Sequence, residues 1–121
     1  MTIFVRARFE ARAGRRADFE EIVLALTARA AEEAGTLSYR WFAPDHGGYL
    51  VIEQYADTAA ALAHNERSAD LLARVEDSAE MVFAELYGTL GPELLAWVAA
   101  HPQVTAYPDF TGRAGSTTAQ G

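Results

Sequence analysis

The 121-residue chain contains no cysteine and no lysine. Without cysteine there are no disulfides, no thiolate metal sites and no cysteine nucleophile, which fits a cytoplasmic protein. Without lysine every permanent side-chain cation is an arginine, and acids outnumber them, giving a formal net charge of −7 and a pI near 4.8. An acidic surface repels phosphate backbones, and no basic stripe with interleaved aromatics is present, so nucleic acid is not an expected partner. Long apolar runs are missing as well. The stretch from Leu94 to Ala100 falls far short of the roughly 20 residues that span a bilayer. Arg6 and Arg8 interrupt the apolar N-terminal segment, so neither a membrane anchor nor a signal peptide is expected. His46, His64 and His101 fall on different elements without zinc-ligand spacing, so no metal site is expected.

What is present is a chain half hydrophobic by composition, enough for one sizeable core. Ile3 to Glu10 sets Ile3, Val5, Ala7 and Phe9 against Phe4, Arg6, Arg8 and Glu10, the period-two pattern of a strand. Arg12 to Arg16, around Gly14, reads as a solvated turn. From Asp18 to Ala34 the residues Phe19, Ile22, Val23, Leu26 and Ala30 recur at helical spacing, and Gly35 is a natural stop. Leu37 to Ala43 and Tyr49 to Ala56 are strands joined through Pro44 to Gly48, a loop short enough to make them antiparallel neighbours. Asp57 or Thr58 caps a second helix, Asp57 being the better acceptor; it is interrupted at Asn65 to Ser68, where Ser68 can cap a continuation. Glu80 to Leu90 is a fourth strand, with Met81, Phe83, Glu85 and Tyr87 alternating against Val82, Ala84 and Leu86. Gly91-Pro92-Glu93 opens a short apolar helix, ended by Pro102. Val104 to Phe110 reads as an extended edge or arm, and 113–121 as a disordered tail.

The order is β-α-β-β-α-β with a C-terminal helical extension: an α+β, ferredoxin-like arrangement on a four-stranded antiparallel sheet. The domain is expected over 1–112. Tyr49 to Ile52 is apolar on both faces, and Trp41-Phe42 puts an aromatic on each. Helices cover only one face of such a sheet, so the other needs a cover. A second copy packed sheet to sheet is the expected one, and the C-terminal segment folding back is the rival.

Three segments carry a family resemblance: Gly35-Thr36-Leu37-Ser38-Tyr39-Arg40, Leu50-Val51-Ile52-Glu53-Gln54-Tyr55, and Ala60 to His64. A glycine after the first helix, a tyrosine in strand two, an acid in strand three and a histidine on the second helix resemble the antibiotic biosynthesis monooxygenase family. That family lies within the dimeric α+β barrel superfamily. Tyr87-Gly88, a short helix and an aromatic segment from Tyr107 to Gly112 are similar to one of its subgroups. The resemblance implies a homodimer with a pocket between sheet and helices in each subunit. It implies oxidation of quinols or polycyclic phenols by molecular oxygen, with neither metal nor flavin and no other cofactor. Haem-degrading relatives use an asparagine on an early strand, and strand one here has none, which argues against haem chemistry.

Within that pattern His64 is the candidate base, because an imidazole suits proton removal from a phenol near neutral pH. The competing reading is a histidine hydrogen-bonded for structure at a helix end. Glu53 stands in an otherwise apolar strand. Pointing inward it would pair with His64 as a second catalytic group, and pointing outward it would pair with an arginine. Tyr39, Trp41 and Tyr87 are candidates to line a flat pocket for a small aromatic substrate, and equally for core or interface. Asn65, the only asparagine, is a further candidate, although a neighbour on a helix is turned about 100° away. The rivals to oxygen chemistry are a non-catalytic binding or regulatory protein of the same superfamily and a proton-transfer isomerase or cyclase.

Overall fold

The computed structural model describes residues 1–44 and 48–110. The expected turn at His46 and the expected tail at 113–121 lie outside them. Strand β1 (Ile3–Ala11) leads into helix α1 (Arg16–Ala31), followed by β2 (Thr36–Phe42), β3 (Tyr49–Tyr55), α2 (Thr58–Arg67), α3 (Ala69–Ser78), β4 (Ala79–Tyr87), α4 (Gly91–Ala100) and β5 (Val104–Tyr107). The strands form one sheet in the order β2-β3-β1-β4-β5. This is an α+β, ferredoxin-like arrangement, with one correction. The sheet has five strands, because β5 joins the outer edge of β4 in parallel. The reason is the crossover: α4 carries the chain back from the end of β4 to beside Ala84 in its middle, so the next extended segment runs the same way. Val104 then turns into the core beside Ala84.

Register fixes which residues face the helices. Ile3, Val5, Ala7 and Phe9 oppose Tyr55, Glu53, Val51 and Tyr49 across β1–β3, and Tyr39 and Trp41 oppose Glu53 and Val51 across β2–β3. One cluster gathers Phe19, Ile22, Val23 and Leu26 of α1 with Tyr49, Leu71 and Val75. A second joins Ile3, Val51, Tyr55 and Ala61 to Leu90 and Leu94. The C-terminal helix therefore packs on the same side as the others, not across the open face. That opposite face carries Phe4, Phe42 and Ile52, each about 40% exposed, with Arg6 over the Phe83 ring and Arg40 over the Phe42 ring.

Local chemistry sets the helix boundaries. The Asp57 carboxylate accepts from Ala60 N–H at 2.8 Å, as its position before the apolar run implies. Ser68 does interrupt the second helix, but its hydroxyl caps nothing and is buried without a hydrogen bond. The break is pinned from outside. Arg29 forks onto both Asp70 oxygens at 2.6 and 3.0 Å and also reaches the Arg67 carbonyl, while Arg67 reaches back to the Arg29 carbonyl and to Glu32. Gly35 is required by proximity: a Cβ there would lie 2.6 Å from the Ala60 Cβ, so the turn after α1 touches α2 directly.

Phe19 has no exposed surface and sits within 6.0 Å, ring to ring, of Phe9, Trp41 and Tyr49. Truncation would leave a ring-sized void under α1. Phe19→Ala is expected to destabilise the fold by about 3–5 kcal/mol, read as a lower midpoint in urea unfolding with unchanged slope.

Candidate active site

The helix-facing side of β2 and β3 presents Tyr39, Trp41, Glu53 and Tyr55 toward α2, and α2 answers with Ala61 and His64 on its buried face. His64 is 3% exposed, an unusual degree of burial for a histidine. Its ring lies 5.3 Å from that of Tyr39 and 5.6 Å from that of Tyr55. Nδ1 donates to Glu33 Oε1 at 2.7 Å. The same Oε1 accepts from the Thr36 hydroxyl at 2.8 Å, and Oε2 faces Arg67 at 3.4 Å.

Glu33 therefore holds the position that the sequence reading gave to Glu53 as partner of His64. Burial alone would raise the Glu33 carboxyl, but the hydrogen bonds from Thr36 and His64 and the charges of His64 and Arg67 outweigh it, and the pKa is lowered. A carboxylate held on Nδ1–H fixes the tautomer. The lone pair of Nε2, on the opposite flank of the ring, is left available to a proton.

Glu53 does point to the helix side, but its own hydrogen bond comes from the Tyr55 hydroxyl. Loss of surrounding water pushes its pKa up, against the opposing effects of the Tyr55 bond and the His64 charge. Burial, and then the nearby Glu53 charge, raise both Tyr39 and Tyr55 above the ordinary phenol value. They stay neutral phenols throughout the physiological range.

The structure brings together His64, Glu53, Tyr39 and Trp41, and separates Tyr87 and Asn65 from them. Tyr87 lies on the opposite face of the sheet, where its hydroxyl donates to Glu85, itself paired with Arg6 at 2.9 Å. It borders a recess of about 360 Å³ with Phe4, Tyr107 and Asp109. Asn65 follows His64 but is exposed on the outer side of α2. His101 bonds the Trp97 carbonyl at 2.7 Å and stacks on that ring. The residues that sequence reasoning missed are Glu33, Thr36 and Tyr55. One signal for Glu33 was available: Glu32-Glu33 at the C-terminal end of a helix opposes the helix dipole, so such acids need partners elsewhere. Among the described residues no group of three or more histidines and acids is placed to hold a metal. No helix there is long and apolar enough to cross a membrane.

A model of the antibiotic biosynthesis monooxygenase family matches residues 2–69, more than half of the chain, and the chain belongs to that family. Solved structures share the fold. MupZ from Pseudomonas fluorescens superposes with a TM-score of 0.71 at 21% identity, covering 88% of each chain. Rv0793 from Mycobacterium tuberculosis gives 0.65 at 20% identity over 76% of this chain and 98% of its own. SnoaB, a cofactor-independent oxygenase from Streptomyces nogalater, gives 0.63 at 15% identity over 75% of this chain and 95% of its own. No curated protein matches the sequence.

The two carboxyls titrate in opposite senses. Glu33, held below its unfolded value of 4.5, contributes stability that is present above that value and lost as pH falls through the folded pKa. Glu53, raised from the same value, withholds stability once pH exceeds it. Glu33→Gln is therefore expected to destabilise at neutral pH, on the order of 2 kcal/mol for a lost charged hydrogen bond. Glu53→Gln, which can still accept from Tyr55, is expected to stabilise. Both differences should shrink in acid, as followed by thermal unfolding at a series of pH values.

Proposed function

We propose that this chain is a cofactor-independent monooxygenase that oxidises a quinol or polycyclic phenol-like aromatic with molecular oxygen. The observation that carries the reading is the pairing of half-buried Glu33 with buried His64, whose ring lies against those of Tyr39 and Tyr55. With Nδ1–H committed to Glu33, Nε2 accepts the substrate's phenolic proton, and Glu33 stabilises the imidazolium that results. The phenolate so formed gives an electron to oxygen far more readily than the phenol does. The ring faces of Tyr39 and Tyr55 suit contact with a planar ring, and the neutral Tyr39 hydroxyl is suited to orient one of its oxygens. Membership of the family and the fold shared with SnoaB support oxygen as the co-substrate.

The active form in this reading is a homodimer. The face bearing Phe4, Phe42 and Ile52 has no covering element among the described residues, and an identical face from a second copy would bury it. Light scattering at micromolar concentration is expected to return a dimer mass, and Ile52→Arg to shift it toward monomer. A wild-type monomer would remove the sheet-to-sheet arrangement.

Oxygen uptake with a panel of hydroquinones and anthrone-like phenols, against an enzyme-free blank, tests the chemistry. His64→Ala is expected to lower kcat/KM by about 10²–10⁴-fold, the usual range for loss of a positioned general base. Product formed equally well without oxygen would replace this reading with an isomerase or cyclase built on the same pair. Thermal stabilisation by the panel with no turnover would replace it with a binding protein.

A further inference from the structure

Glu53 stands half-buried on the helix-facing side of β3, opposite Val5 on one neighbouring strand and Tyr39 on the other. Strand alternation puts the nearby arginines on the other face: Arg6 pairs with Glu85, Arg8 with Glu10, and Arg40 lies over the Phe42 ring. Among the described residues Glu53 therefore makes no ion pair, and its one hydrogen bond comes from the Tyr55 hydroxyl to Oε1. Oε2 is left over. The titratable groups that face this carboxyl are Tyr55 from its own strand, Tyr39 from β2 and His64 from α2, with Glu33 beyond His64. Glu33 is already an anion, held by Thr36, His64 and Arg67. Moving a proton from Glu53 to the histidine ring would create two further charges in a poorly hydrated cleft, with no ion pair between them to offset the cost. The upward shift of the Glu53 pKa agrees with a proton retained there. A carboxylic acid at this position has one O–H donor, on Oε2, and the Tyr55 bond to Oε1 polarises it further.

We propose that Glu53, as a carboxylic acid, donates through Oε2 to a substrate oxygen that gains negative charge as His64 takes a carbon-bound proton. This gives the site a second activity, the oxygen-independent enolisation of a flat aryl ketone. The inference rests on the reading of His64 as the base. The C–H bond next to the conjugated system breaks, and its proton goes to Nε2. Its electron pair forms the new C=C bond, and the carbonyl π pair settles on oxygen, where the Glu53 O–H meets it. No oxidant is consumed. The anion is the same phenolate that loss of a phenolic O–H would give, so keto and phenol tautomers feed the same oxidation. Without oxygen the imidazolium returns a proton to carbon, and the ketone is regenerated.

Anthrone in oxygen-free heavy water is the probe, with loss of its methylene C–H signal followed by NMR against an enzyme-free blank. The wild type is expected to speed this exchange and to leave anthrone otherwise unchanged. Glu53→Leu should lower the rate by about 10²–10³-fold, the usual cost of removing one donor from an oxyanion site. Glu53→Gln keeps both an acceptor for Tyr55 and an N–H donor, and should retain most of the rate. It should also remove a pH limb: the wild-type rate falls as pH rises and Glu53 ionises, and the Gln variant has no such fall. Without any turnover, the infrared difference between wild type and Glu53→Gln near neutral pH should contain a carboxylic acid C=O stretch. The Gln variant and that band carry the test if Glu53→Leu does not fold. No exchange by the wild type, undiminished exchange in Glu53→Leu, the same alkaline fall in Glu53→Gln, or no acid band each overturns the proposal. Oxygen uptake at full rate in Glu53→Leu would strike this role of Glu53 alone. Exchange by the wild type with no oxygen uptake across the phenol panel would strike the oxygen reading and leave this one standing.

Discussion

Glu33 lies just past the end of α1, and its carboxylate accepts from groups on two further elements: the Thr36 hydroxyl at the start of β2 and the His64 ring on α2, with Arg67 closing the far side. A single half-buried anion thus fixes where the first helix ends, how the second strand begins and which way the histidine faces. Leaving the His64 ring without the carboxylate would strand a buried polar group, at a cost comparable to the hydrogen bond itself. The contact of Gly35 with Ala60 is the steric half of the same arrangement, since only a residue without a Cβ lets α2 come close enough for His64 to reach Glu33.

Much of the fold is legible in the chain, because its signals are local. The alternation of Ile3, Val5, Ala7 and Phe9, the spacing of Phe19, Ile22 and Leu26, and Asp57 before its helix each report one element at a time. What escapes is whatever depends on how elements meet. The parallel β5 follows from the direction in which α4 returns the chain, which its four residues do not encode. Tyr87 was grouped with the pocket because β4 is apolar on both faces, and period two alone does not say which face is inside. The register shift opposite Arg8 and Phe9 adds to this, leaving Met81 facing the helices while Phe83, Glu85 and Tyr87 face away. The pairing of His64 with Glu33 spans 31 positions, and composition around either residue says nothing of the other. The partner of Glu53 lay two residues away on the same strand face, at Tyr55, which nothing in the local pattern singled out.

The four helices among the described residues lie on one side of the sheet, and this divides the aromatic residues into two populations with different surroundings. Those on the covered side meet one another tilted or edge to face at 4.9 to 6.4 Å and share their enclosure with His64, the one buried imidazole among the described residues. Those on the open side are interleaved with arginines and acids: Arg6 with Glu85 and Phe83, Arg8 with Glu10, and Arg40 with Phe42. Such exposed pairs add little stability. They do impose a pattern of charge on the face, so that a partner surface must match it in register as well as in shape.

The short fifth strand has a consequence for how the molecule behaves in a crowded solution. A nine-residue β4 left at the margin of the sheet would offer a long row of unpaired backbone groups to any passing extended chain. β5 occupies that margin along Ala84 to Tyr87, and Pro108, which has no N–H to donate, follows immediately. At the opposite margin, β2 carries an irregularity between Thr36 and Ser38 that breaks a flat template. With β5 in place, the stretch of β4 that remains open to strand addition is cut to Ala79–Phe83, about half of what the bare strand would present.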